Sequence, residues 1–412
     1  MKKSSRQWFT LRLLSAVMLL QLSAGISSTV RIATYNILDF PQSFGFQRLD
    51  DFRTALGYVD PDILIVQEMQ SQSGVDLFLD SVMLPIHASF ASAPFHDGPD
   101  TDNALFYRQD RIEYIGAQYL ATTNRDIGAY RLVLDSGQSE LYLFSVHLKA
   151  SEGASNENIR LQETTTLRNY LSTLPGATDF LVAGDFNIYY SNEPAFRMMT
   201  DSLTNNNGRL FDPLHVTGNW HENSNYSAVH SQSTRVDQLP DGGAGGGLDD
   251  RFDMILCSGS LLDSVGLLLV QNSYTICGND GEHFNLSVNY GTNNAVPSYV
   301  ADALYFASDH LPLFVDLSLD TTPTMNERIV KVYPNPMRNW VQVTFPPYDD
   351  FVSARLTMTN ILGQRVYEEE TTDPDGYRIE RENLPLGVYF LQIRIQTRFS
   401  SYDHRISIAI VK

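Results

Sequence analysis

FLVAGDFN, residues 180–187, decides the reading of this chain. Five residues from Phe180 to Gly184 carry no charge or strong hydrogen-bonding side chain, and then Asp185 and Asn187 follow two residues apart. An uninterrupted apolar run of four to eight residues reads as a strand buried on both faces, and the polar residues that end it collect along one edge of the sheet. Just upstream, NENIRLQETTTLRNYLSTLP (156–175) repeats Leu167, Tyr170, Leu171 and Leu174 at helical spacing and stops at Pro175-Gly176. The spacing predicts a helix packed on the sheet that the next strand enters.

The same pattern recurs outward in both directions. RIATYN ends on Asn36, ILIVQE on Glu68, YLFSVH on His147, RFD on Asp253, and ASDH on Asp309 and His310. One strand ending in Asp, Asn or His is only a chain entering a turn, where these residues are favoured. Six such ends, mixing carboxylates, amides and two histidines, are the set that divalent-metal phosphoryl chemistry draws on. Glu68 is a hard-cation ligand and Asn36 adds an amide oxygen. Asp185 can take a proton from water, and Asn187, on the same side of an extended chain, can hold the water or the substrate. His147 and His310 are donors toward phosphate, with Asp253 placed to fix the His310 tautomer. The His-Asp pairing resembles part of a Ser-His-Asp triad, but no serine stands in a nucleophile-elbow context such as G-x-S-x-G to complete one.

Strand-like runs alternate with helix-like or loop stretches from residue 30 to 318, an α/β pattern. Residues 219–250 turn polar and glycine-rich, including PDGGAGGGLDD (240–250), and lack the Lys and Ser/Thr of a P-loop. They read as a mobile loop over the active edge. Four further residues are weaker substrate-binding candidates: Asn103 in TDNALFYR, Lys149 two residues after His147, Arg235 upstream of the glycines, and His283 in GNDGEHFN. Asn103 reads equally well as a turn residue and His283 as part of a functionless polar loop, Arg235 reads better as a solvated surface arginine, and Lys149 would share the face of His147.

The flanks describe an exported protein. Lys2, Lys3, Arg6 and Arg12 precede an apolar stretch from Leu13 to Leu22 and then small residues, the layout of a signal peptide over 1–25. The stretch is too short for a bilayer span, and no other segment is a candidate for one. Cys257 and Cys277 both lie in the exported part, where one disulfide or two free thiols are open readings. A polar linker, 319–328, leads to 329–412, where VQVTF, ARLTMTN, VYFLQIRI and ISIAIV are separated by turn signals. That spacing is of a small all-β sandwich without catalytic residues. The net charge of −19 over 412 residues argues against a protein that wraps nucleic acid by charge. A site that recruits a cation can still handle a phosphate, because the ion becomes the largest local charge.

The strings TYNIL, IVQE, ALFYR, SVHLK, GDFN, RFDMIL and SDHLPL, in that order, resemble the endonuclease/exonuclease/phosphatase superfamily. The resemblance implies a four-layered DNase I-like α/β sandwich, two packed β-sheets flanked by helices, over 30–318. It also implies phosphoester hydrolysis dependent on Mg²⁺, with Mn²⁺ or Ca²⁺ as alternatives. By position it assigns Asn36, Glu68 and Asp309 to the metal site and its neighbourhood, His147 to phosphate, Asp185 and Asn187 to the attacking water, and Asp253 with His310 to the terminal dyad. VYPNP (332–336), NILGQRVYE (360–368) and LPLGVYFLQI (384–393) resemble the C-terminal sorting domain of the type IX secretion system. That resemblance implies passage through the periplasm and outer membrane, with the type IX machinery as partner and a secreted or surface-attached product. The functional expectation is a secreted metal-dependent phosphodiesterase, a nuclease acting on extracellular DNA or RNA. A phosphatase or sphingomyelinase-like hydrolase of small or lipid phosphoesters is the alternative. Oligomeric state is not legible.

Overall fold

The computed structural model describes residues 29–135, 139–176, 178–262, 267–318, 330–345, 351–374, 376–381, 384–398 and 401–411. The expected signal peptide, 1–25, and linker, 319–328, lie outside the described residues. The chain divides into two compact units, Met1–Thr321 and Thr322–Lys412.

In the first unit the strands run β1 (Thr29–Phe40), β2 (Ile63–Met69), β3 (Phe90–Ser92), β4 (Asp102–Arg108), β5 (Ile112–Leu120), β6 (Ile127–Leu134), β7 (Ser139–His147), β8 (Phe180–Asp185), β9 (Leu210–Phe211), β10 (Asp253–Ser258), β11 (Leu268–Leu269), β12 (Thr275–Ile276) and β13 (Leu313–Ser318). The main helices are α1 (Leu49–Val59), α2 (Gln72–Phe78), α3 (Leu84–Ile86), α4 (Ala154–Leu171), α5 (Pro194–Thr200) and α6 (Ser298–Ala307). One sheet has the order β11-β13-β1-β2-β4-β3, with β12 also on β13, and the other the order β5-β6-β7-β8-β10-β9. Pairing is antiparallel except for β1 with β2 and β7 with β8.

The alternation along β8 shows how the layers are made. Leu181 and Ala183 join the core between the sheets, with Ile32, Leu64, Leu143 and Ile255. Phe180 and Val182 face the other way, onto Leu167 and Leu171 of α4. Both faces of β8 are therefore covered by apolar groups, which is why it reads as a continuous run. On the outer side of the first sheet, Phe40, Phe52 and Phe78 meet edge to face with ring centroids 5.2–5.9 Å apart. The result is the expected DNase I-like four-layered arrangement. α4 begins earlier than its apolar repeat suggests, because its first half buries charge: Arg160 and Glu193 pair with neither side chain exposed.

A polar seam crosses the apolar space between the sheets. Thr34 Oγ1 donates to Gln67 Oε1 (3.2 Å), Gln67 Nε2 to Ser145 Oγ (3.1 Å), and Ser145 Oγ to Asn103 Oδ1 (2.9 Å). Every member is buried, so each hydrogen bond replaces one that water cannot supply. The two cysteines remain separate buried thiols; no disulfide joins them. Among the described residues no helix is long and apolar enough to cross a membrane.

The second unit is all-β. Strands β14 (Lys331–Tyr333), β15 (Trp340–Thr344), β16 (Phe351–Asn360), β17 (Arg365–Thr371), β18 (Gly376–Glu380), β19 (Gly387–Thr397) and β20 (Ser401–Ile410) form sheets ordered β14-β15-β18 and β17-β16-β19-β20. Val341, Val343, Leu356, Met358, Ile379, Leu391 and Ile393 make its core, one face of each strand.

Candidate active site

The two parallel pairs bring their C-terminal ends to the same edge. His147 stands in register with Asp185 across β7 and β8, and Asp253 with Asp185 across β10 and β8. Asn36 and Glu68 arrive from the facing sheet, where Asn36 is in register with Gln67. Asn36 joins the halves. Its Nδ2 donates to Glu68 Oε1 (2.9 Å) and to Asp185 Oδ2 (3.2 Å), and its Oδ1 accepts from Leu38 N (3.1 Å).

Several backbones here are held in the left-handed region without glycine: Leu38 (φ 48), Asp39 (φ 43), Glu68 (φ 66) and Asn187 (φ 50). Such conformations cost about 1 kcal/mol or more each and persist where neighbours enforce them, typically at functional sites. The enforcers are visible. Asp39 N donates to Glu68 Oε2 (2.9 Å), and Asn187 N donates to Asp185 Oδ1 (3.0 Å) while its Nδ2 is anchored on Leu148 O (3.2 Å).

Asp185 Oδ2 also lies 3.5 Å from His147 Nε2 and 3.8 Å from His310 Nε2. His147 Nε2 is 3.8 Å from Glu68 Oε1. His310 Nδ1 is 2.7 Å from Asp253 Oδ2, which also accepts from Ser231 Oγ at 2.6 Å. The other His310 nitrogen, Nε2, meets the side-chain amide of Gln232 at 2.7 Å. Asp309 is held by the glycine stretch, since Ala244 N donates to its Oδ2 (2.7 Å). Gly243 packs so closely on Leu38, Arg235 and Asp309 that a Cβ there would meet atoms at 2.8–3.0 Å. The loop expected to be mobile is instead folded in and tied, its Gly247 N bonded to Arg235 O.

Burial and like charge set the protonation states. Asp185 is pushed up to about 7, chiefly by desolvation, with Asp253 and Glu68 adding to the rise and His310 opposing it. Glu68 is raised by burial and by Asp309. His147 is held well below its ordinary value by desolvation, with Arg125 and His310 contributing, so it is neutral. His310 is buried too, but Asp253, Asp309 and Asp185 together outweigh the desolvation and raise it well above the ordinary histidine value.

Asn36, Glu68, His147, Asp185, Asn187, Asp253, Asp309 and His310 thus converge. Of the weaker candidates, Lys149 lies near enough to His147 to add to its lowering. Arg235 is fully buried and paired with Asp241 (2.7 Å), not on a surface loop. His283 is buried between Asp280 Oδ1 (2.7 Å) and Tyr290 O (2.8 Å). Asn103 is part of the polar seam and donates to Asp126 O. Lys149 follows the His147 strand, where its backbone N bonds Glu163. Three residues at the site escaped the sequence reading: Ser231, Gln232 and Arg125. Arg125 reaches Leu148 O, the carbonyl that also anchors Asn187. They sit in loops with no periodic pattern, and only their returning contacts reveal them.

Three buried carboxylates, Asp185, Asp253 and Asp309, and the partly buried Glu68 face one charged imidazole, and Glu68 and Asp185 are raised by desolvation and by neighbouring carboxylates. Among the described residues no three His, Cys, Asp or Glu side chains form a compact ligand cluster. That donor set fits a hard cation such as Mg²⁺, which takes one or two protein carboxylates and fills its remaining positions with water and phosphate oxygens.

Residues 33–310 match the Endonuclease/Exonuclease/phosphatase family, and residues 331–408 match the Secretion system C-terminal sorting domain. No curated protein sequence matches the chain. Similar solved structures include a humanized TDP2 from D. rerio at 15% identity, covering 71% of this chain and 99% of that one with a TM-score of 0.47. An endonuclease/exonuclease/phosphatase family protein from Bacteroides thetaiotaomicron has 15% identity, the same coverages and a TM-score of 0.46. The human Nocturnin catalytic domain with bound sulfate has 19% identity over 71% and 95% of the two chains, with a TM-score of 0.44. The sorting domain marks a product secreted or attached to the cell surface by way of the outer membrane. With its family matched over most of its length, the chain belongs to the endonuclease/exonuclease/phosphatase family and is a hydrolase of the phosphoesterase type.

Proposed function

We propose that this protein is a divalent-metal-dependent phosphodiesterase that hydrolyses extracellular nucleic acid, with Asp185 as the base. The observation that carries the reading is the position of Asp185 Oδ2, within 3.2–3.8 Å of Asn36 Nδ2, His147 Nε2 and His310 Nε2. A base that titrates near neutrality is matched to proton abstraction from water at that pH. Asp185 takes the water proton as the water oxygen attacks phosphorus, and Asn187 fixes the approach. The P–O bond to the opposite ester oxygen breaks, and that oxygen leaves as the alcohol after taking up a proton from solvent. His310, charged and oriented by Asp253, donates from Nε2 to a phosphoryl oxygen. His147 is neutral; its Nε2 faces the carboxylates and its Nδ1 has no partner among the described residues, so its proton belongs on Nε2, a second donor. Donors aimed at the charge that develops supply much of such a rate enhancement. Asn36 and Glu68, with Asp309 beside them, would hold the metal, which when bound neutralises phosphoryl oxygens.

The acidity of the chain favours one rival, a hydrolase of small or lipid phosphoesters. Mature protein assayed with Mg²⁺, Mn²⁺ and Ca²⁺ against plasmid DNA, RNA, sphingomyelin and inositol phosphates separates the two. Cleavage confined to sphingomyelin or inositol phosphates overturns the nuclease reading, and no cleavage of any of the four overturns the enzyme.

A further inference from the structure

Two aromatic side chains stand in water beside this site. Phe44 is 50% exposed and Phe46 69% exposed, on the turn that leaves β1. Phe44 itself is left-handed (φ 57, ψ 28), an uncommon state for a bulky residue. The turn is nonetheless well tied. Gly45 N donates to Gln42 O and Gln47 N to Phe44 O, both at 2.8 Å. The buried Arg48 then clamps it to the catalytic edge: its guanidinium donates to Ile37 O (3.0 Å), Leu38 O (2.6 Å) and Ala307 O (2.8 Å). Ile37 and Leu38 directly follow Asn36, and Ala307 directly precedes the Ser308-Asp309-His310 run. The aromatic turn is therefore fixed to both ends of the site.

Burying these rings would gain free energy, and nothing among the described residues covers them. The immediate neighbours Gln42, Ser43 and Gln47 are polar, unlike the continuous apolar surface a lipid-inserting loop presents. A net charge of −19 removes the usual diffuse electrostatic route to a polyanion, so beyond the phosphate at the cation site a phosphodiester polymer would be held by uncharged contacts. Stacking of bases on aromatic rings is such a contact, and it is open to unpaired bases. Building on the phosphodiesterase reading, we propose that Phe44 and Phe46 are a stacking platform for unpaired nucleobases, which makes single-stranded nucleic acid the substrate class. The metal-facing groups bind one phosphate, and the rings bind the base beside it.

The test is binding by the full-length chain in chelator, where nothing is cut. The probes are a labelled oligothymidylate and an oligomer of the same length and charge whose units are abasic. Stacking predicts tighter binding of the oligothymidylate by about tenfold or more, with Phe44→Ala and Phe46→Ala each weakening it by about tenfold. The abasic oligomer should bind all forms alike, Phe44→Trp should restore affinity, and Tyr58→Ala, an exposed ring on α1 outside this turn, should change nothing. Equal affinity for the two oligomers overturns the proposal, as does equal loss for both in the variants. So does phenylalanine-dependent binding to phosphatidylcholine vesicles without discrimination between oligomers. Hydrolysis of bis(4-nitrophenyl) phosphate with Mg²⁺, run in parallel, reports the chemistry alone. Retained hydrolysis with no base preference sinks the platform and spares the enzyme, whereas a base preference without any hydrolysis does the reverse.

Discussion

Asp185→Asn should make the protein slower and, without metal, more stable. The side chain is buried and its carboxyl is held at about 7 instead of 3.8, mainly by desolvation. That displacement costs the folded protein roughly 4 kcal/mol once the group is ionised. The sign follows from the raised value: no cost is present below about pH 4, it grows as pH rises, and it is complete above about 7. An amide carries no charge and escapes it. The amide nitrogen would face Asn36 Nδ2, which now donates to Asp185 Oδ2, and that donor–donor conflict returns about 1–2 kcal/mol. The net gain at pH 8 is then about 2–3 kcal/mol, a rise in Tm of roughly 5–10 °C for a domain of this size. Loss of the base should lower kcat by about 100-fold or more. Thermal unfolding of metal-free wild type and variant from pH 4 to pH 8 gives the first quantity, and single-turnover hydrolysis the second. A variant no more stable than wild type at pH 8 would refute the electrostatic account, even if it were inactive.

Three more outcomes follow from the same geometry. Asp253→Asn removes the charge 2.7 Å from His310 Nδ1, so the alkaline limb of the pH–rate profile should move to lower pH and kcat should fall by about tenfold or more; an unmoved limb counts against it. Gln232→Glu would set a carboxylate against His310 Nε2, competing with phosphate, and should raise KM well above that of Gln232→Ala; equal KM values for the two variants would exclude a phosphate-facing Nε2. Arg160→Met strands the buried Glu193 and should cost about 3–5 kcal/mol in denaturant unfolding, whereas less than 1 kcal/mol would mean that water reaches the pair.

The strand ends were legible because the chemistry and the fold ask for the same thing. A strand covered on both faces has to be apolar until it emerges, so Glu68, His147 and Asp185 stand out where the run breaks. Ser231 and Gln232 were not legible, since nothing about HSQST shows that it returns to lie against Asp253 and His310. Arg235 misled for a related reason. Polar, glycine-rich text suggests solvent, but Asp241, six residues on, supplies a partner that lets the guanidinium be buried. The glycines around 242–247 likewise serve close packing against Asp309 and Leu38 more than freedom of movement.

The polar seam from Thr34 through Gln67 and Ser145 to Asn103 has a consequence for how the protein fails. Apolar layers can slide on one another at modest cost, but a row of buried hydrogen bonds admits one alignment only. The reacting groups come half from each layer, joined by the buried Asn36. Turnover is therefore a gauge of how the two layers are aligned, finer than any measure of helix or strand content. Mild pressure or low denaturant should silence the enzyme while its circular dichroism is still native.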